Sequence, residues 1–129
     1  MNKVTLEQLI ARKTQSKQDK PMMKEIYSEE LEGTILAKKL PLEKFCDILD
    51  MEKETSESAF KANCMLIYQS CEIFHNTELI QAYGCKEPYE VVRAVLNDNF
   101  WDISTMAAEI SKLYGGKKSR KNPGEELKN

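Results

Sequence analysis

The stretch ESAFKANCMLIYQSCEIFH, residues 57–75, carries the strongest periodic signal in the chain. Phe60, Cys64, Ile67, Cys71 and Phe74 recur at intervals of four, three, four and three, with Tyr68 alongside. An α-helix completes a turn in about 3.6 residues, so this spacing gathers the apolar side chains onto one wide face. The stretch therefore predicts a helix that runs through to His75 and lies at the centre of a core.

Elements on both sides of that helix supply partners for it. Downstream, Asn76 caps a short helix, TELIQAY, which Gly84 ends in the usual C-terminal glycine position. Pro88 opens YEVVRAVL, whose buried side is Val91, Val92, Val95 and Leu96. Asn97-Asp98-Asn99 reads as a turn, and DISTMAAEISKLY follows with Ile103, Met106, Ala107, Ile110, Leu113 and Tyr114 before Gly115-Gly116 stops it. Upstream, Pro41 suits the first turn of LPLEKFCDILDME, with Leu42, Phe45, Ile48 and Leu49 as a stripe. Before it, Ile26-Tyr27 and Thr34-Ile35-Leu36 flank Glu32-Gly33, the pattern of a β-hairpin. Thr5 caps the helix TLEQLIARK, and TQSKQDKP, without an apolar residue, reads as a flexible linker.

The expected fold is therefore α+β, a mostly α-helical small domain with one β-hairpin on its N-terminal side. Residues 1–23 form an N-terminal helix and linker. Residues 24–116 form the globular domain, with the hairpin at 24–40 and helices over 41–114. Residues 117–129 form a disordered charged tail by composition. The 129 residues are enough for one domain.

Charge is unevenly distributed. Residues 1–20 carry five basic and two acidic side chains, residues 21–116 nine and seventeen, and residues 117–129 five and two. An acidic body between short basic ends argues against a nucleic-acid-binding surface on the folded part. No apolar run reaches the roughly 18 residues that suggest a membrane span. The N-terminus shows neither a signal-peptide apolar segment nor a small-residue cleavage site, so a cytoplasmic protein is expected.

Four cysteines, Cys46, Cys64, Cys71 and Cys85, contain no C-x-x-C, and they are expected as small buried apolar residues. Cys64, Cys71 and His75 would share one helix, but spacing supplies no complete metal set. Cys85 lies before a helix start, where a thiolate is favoured, yet no base is assigned to it; the lone His75 is expected at a helix C-terminus. Phosphate-binding, zinc-protease and hydrolase motifs are not found. The residues thus lead to no catalytic, cofactor or metal site, and to a protein that is not an enzyme.

Partner contacts are the remaining candidates. Leu6, Leu9 and Ile10 line one face of the tethered N-terminal helix. Met22 and Met23 adjoin the linker, and methionine adapts to varied partners. Phe100 and Trp101 meet at a helix–helix corner, where core anchoring is the expected role and a binding hot spot the alternative.

This ordering resembles the XkdN-like tail assembly chaperones of contractile-tailed phages and prophages of Gram-positive bacteria. The resemblance spans about residues 5–116. It rests on the short N-terminal helix and basic linker, KLPLEKFCDILD (39–50), LIQAYGCKEPYEVVRAVL (79–96) and LYGG (113–116). AYGCKEPYEVV and the proline-led helix after the hairpin are its most specific pieces. It implies a non-enzymatic role without a cofactor, holding the tape measure protein soluble in the host cytoplasm while the tail tube assembles. It also implies absence from the finished virion, homo-oligomers, and contacts with tail tube protein and a frameshifted longer form of the chain. Gly115-Gly116-Lys117-Lys118 marks where a slippery G/A-rich codon run would fall. The alternative is a small cytosolic interaction or regulatory adaptor without a phage role.

Overall fold

The computed structural model describes residues 3–16 and 22–115. Six α-helices and one two-stranded antiparallel sheet are formed among them. The linker residues 17–21, Gly116 and the charged tail at 117–129 lie outside the described residues.

Helix α1, Leu6–Ser16, begins at a reciprocal cap. Thr5 Oγ1 accepts from the Gln8 N–H at 3.2 Å, and Gln8 Oε1 accepts from the Thr5 N–H at 3.0 Å. The helix continues into what the sequence suggested was linker. Strand β1, Met23–Ser28, pairs with β2, Gly33–Lys38, so Met23 belongs to the sheet rather than to the linker. Met22 also joins the ladder, its carbonyl accepting from the Lys39 N–H at 2.8 Å. Alternation sends Ile26, Ser28, Ile35 and Ala37 inward and leaves Met23, Tyr27 and Leu36 exposed.

Helix α2, Leu42–Asp50, follows Pro41, but its expected stripe is only partly used. Ile48 is buried, Phe45 is half-buried and stacks on Tyr114 with ring centroids 3.8 Å apart, and Leu42 and Leu49 face solvent. Helix α3, Ser56–Ser70, is capped by Thr55 and packs against α6, α5 and α2. It does not continue to His75. Cys71 adopts an extended backbone (φ −112°, ψ 99°), and Glu72–His75 forms a separate 3-10 turn. This break turns Phe74 into the core and sets Glu72 beside Lys38 of β2, with N–O 2.5 Å.

Helix α4, Thr77–Ala82, is capped by Asn76, and Gly84 adopts a left-handed conformation (φ 62°) beyond its end. Helix α5 spans Glu90–Val95, starting two residues after Pro88, which sits in the turn that leads into it. Asn97 and Asp98 both take positive φ in the next turn, and α6 runs from Phe100 to Ser111. The core gathers Ile26, Ile67, Phe74, Val91, Val92, Leu96, Ile103, Met106 and Ile110, all essentially inaccessible to solvent. No helix among the described residues is long and apolar enough to cross a membrane.

Candidate partner-binding surface

The first turn of α6 has two sides with opposite roles. Asn99 Oδ1 accepts from the Asp102 N–H at 3.1 Å and fixes the start of the helix. Asp102 points inward. Its carboxylate accepts from the Ser28 hydroxyl at 2.7 Å and from the backbone N–H groups of Glu29 and Glu30 at 3.0 and 3.3 Å. The partial positive charge of a helix N-terminus adds to these donors. The hairpin turn is thereby tied to the helix that carries Phe100 and Trp101.

Trp101 points the other way. It lies two residues before Ile103, about 200° around a helix that advances 100° per residue, so it cannot share the buried face. The core role expected for it is therefore corrected: Trp101 is 76% exposed and Phe100 37% exposed. Phe100 meets Trp101 edge-on, with centroids 5.0 Å apart, and stacks on Phe60 of α3 at 5.6 Å. Phe60, which sequence periodicity treated as core, is half-buried and forms the inner end of this aromatic ledge.

Arg93 of α5 completes the ledge. Its guanidinium lies 5.3 Å from the Phe60 ring centre, and Nε donates to Asp98 at 2.7 Å. The hydrogen bond to Asp98 raises the Arg93 pKa, and the Arg93 bond lowers that of Asp98. Phe60 and Arg93 also line an open cleft of about 570 Å³, together with Met51, Lys61, Tyr89 and Glu90. Lys61 Nζ sits 5.6 Å from the Tyr89 ring centre. Aromatic faces beside a cleft of mixed polar and apolar lining, with charges of both signs, suit a helical or extended polypeptide.

The other sequence candidates lie elsewhere. Leu6, Leu9 and Ile10 are exposed on α1, as is Val4 just before it. Met22 and Met23 are exposed where the chain enters the sheet, and Met23 lines a second, apolar groove with Leu36 and Ile73. The structure thus divides the seven residues among α1, the sheet and the α6 corner. Sequence reasoning omitted Phe60 and Arg93 from the ledge; Arg93 belongs to a helix read only for its valines, and its approach to Phe60 depends on the packing of α5 on α3.

The surroundings of Cys85 disfavour its thiolate. Cys85 is half-buried, and both burial and the neighbouring Glu90 push its pKa up, the reverse of nucleophile activation. His75 is bound to the Tyr68 carbonyl through Nε2 at 2.7 Å and lies against the Tyr68 ring. Burial pushes Cys64 and Cys71 up to about 12. Cys46, expected to be buried, is exposed on α2. Among the described residues no group of three or more histidine, cysteine or acidic side chains is placed to hold a metal ion. No family model, curated protein or solved structure matches the chain.

Proposed function

We propose that the chain is a tail assembly chaperone of a phage or prophage, which holds the tape measure protein soluble in the host cytoplasm until tube subunits surround it. The observation that carries this reading is the aromatic ledge that runs from half-buried Phe60 through Phe100 to exposed Trp101, backed by the Asp102 clamp. A long client with an amphipathic helical surface would lay apolar side chains on the ledge and in the adjoining cleft. Tryptophan and arginine are the residue types most enriched at binding hot spots, and both stand here. Many copies along one client, contacting tube protein as it arrives, would do so without covalent chemistry or a cofactor. A frameshifted longer form would carry the same ledge, because Phe60, Phe100 and Trp101 all precede Gly116.

Co-expression with the tape measure protein encoded nearest to the gene tests the proposal. The full chain is expected to keep that client soluble and to co-purify with it. Trp101→Ala is expected to weaken the complex by about 30-fold or more, as truncation of a hot-spot tryptophan does. A client that remains insoluble with the chain present, or that binds Trp101→Ala equally well, would refute this surface assignment.

A further inference from the structure

Helix α1 presents an apolar stripe that is left in water. Leu6 and Ile10 are one turn apart, Leu9 lies beside them, and all three are more than half exposed. An isolated helix of 11 residues is marginal in water, so a surface that covers the stripe would stabilise it. Helix α2 carries a second uncovered stripe. It turns Ile48 into the core and stacks Phe45 on Tyr114, while Leu42, Cys46 and Leu49 are exposed. Those three residues fall within about 60° of one another around the helix axis.

Charge matches these two faces. Residues 3–16 carry three basic side chains and one acidic, and residues 42–52 carry one basic and four acidic. Among the described residues Glu43, Asp47, Asp50 and Glu52 form no ion pair. The groove along β2 offers no such match, because its Lys38 and Glu72 pair with each other. The course of the chain also brings the faces within reach. The Met22 carbonyl accepts from the Lys39 N–H at 2.8 Å, so the segment after α1 ends beside Lys39, just ahead of Leu42 at the start of α2. The steps from Ser16 to Met22 reach at most about 20 Å, and those from Lys39 to Leu42 at most about 11 Å.

We infer that the outward face of α2 is a docking surface for a basic amphipathic helix, and that α1 of the same chain is its occupant. The tether brings the C-terminal end of α1 to the N-terminal end of α2, so the docked helices run antiparallel. In the register that sets Leu9 against Cys46, Leu6 meets Leu49 and Lys3 meets Glu52. Arg12 and Lys13 then lie level with Glu43 and Leu42. A short tether holds α1 at an effective concentration on the order of millimolar, which favours it over a second copy at micromolar concentration. Docking takes Leu6, Leu9 and Ile10 out of the surface open to a client. Its failure would leave the aromatic ledge and the client reading untouched.

Disulfide trapping tests the inference, because Cys46 is a native thiol at the edge of the α2 stripe. The full chain is used with Cys85→Ser and diamide as oxidant. A thiol introduced by Leu9→Cys is expected to bond to Cys46 of the same molecule at least tenfold faster than one introduced by Ala11→Cys, which lies roughly 160° around the helix from Leu9. The rate is expected to stay constant on tenfold dilution and to fall at least fivefold when Leu49→Lys is added. Leu9, Ala11 and Leu49 are exposed, and circular dichroism melting checks that each variant folds. Equal rates from the two faces of α1, bonds that form between molecules and slow on dilution, or a rate indifferent to Leu49→Lys would each overturn the inference. Hydrogen exchange gives a check without substitutions: the α1 amides are expected to exchange at least tenfold more slowly in the full chain than in peptide 1–16. Equal exchange rates would overturn the inference as well.

Discussion

Burying the Asp102 carboxylate removes it from water, and the Ser28 hydroxyl, two backbone N–H groups and the α6 N-terminus offset the loss. Removing only the carboxylate leaves those donors without an acceptor. Asp102→Ala is therefore expected to cost about 3 kcal/mol in urea unfolding, and Ser28→Ala about 1 kcal/mol, because other donors to Asp102 remain. An Asp102→Ala midpoint within error of wild type would show that the clamp is not stabilising. The sequence displays Asp102 only as an acidic residue in a first helical turn. Nothing in its local pattern indicates Ser28, 74 residues away, because the hydrogen bond depends on how the hairpin lies on α6. Trp101 was more legible than its expected role implied, since helical phase alone turns it away from Ile103.

Between elements, Glu109 of α6 joins Lys24 of β1 at 2.8 Å and Lys112 at 2.7 Å. The Lys112 and Lys24 hydrogen bonds hold its pKa at about 2, below the ordinary 4.5. Folding therefore favours the ionised form. Its contribution is fully present above about pH 4.5, declines as pH falls, and is gone below about pH 2. The side chain is one-third exposed, so screening limits the effect to about 1 kcal/mol or less. The melting temperature of Glu109→Gln is expected to lie below that of wild type at pH 6 and to converge with it near pH 2. A gap that widens with acid would reverse the assignment. At this scale the hairpin and the order of the helices were readable from alternation, caps and turn residues. The break at Cys71 was not: neither glycine nor proline marks it, and the apolar period runs straight through Phe74, which stays buried on either path. The α2 stripe was misread in the opposite sense, since amphipathic spacing cannot tell how many sides of a helix will find neighbours.

Across the whole molecule, the four thiols sample three depths of the fold. Cys46 is exposed, Cys85 is half-buried, and Cys64 and Cys71 lie in the core with pKa values near 12. A disulfide-exchange reagent at pH 8 is expected to modify Cys46 first and Cys85 more slowly. Cys64 and Cys71 are expected to react only as the protein unfolds globally, so their rate should follow the denaturant curve. Reaction of either core thiol at the Cys46 rate in native buffer would contradict the packing. The Asp102 clamp also bears on how long a complex formed at the ledge would last. Phe100 and Trp101 stand on a helical turn already locked to the hairpin, so docking on them costs this protein little conformational freedom. In the proposed complex the ordering cost would fall on the client alone. A holder of that kind can have a short residence time without loosening its own fold, and a neighbour that orders the client further can displace it one turn at a time.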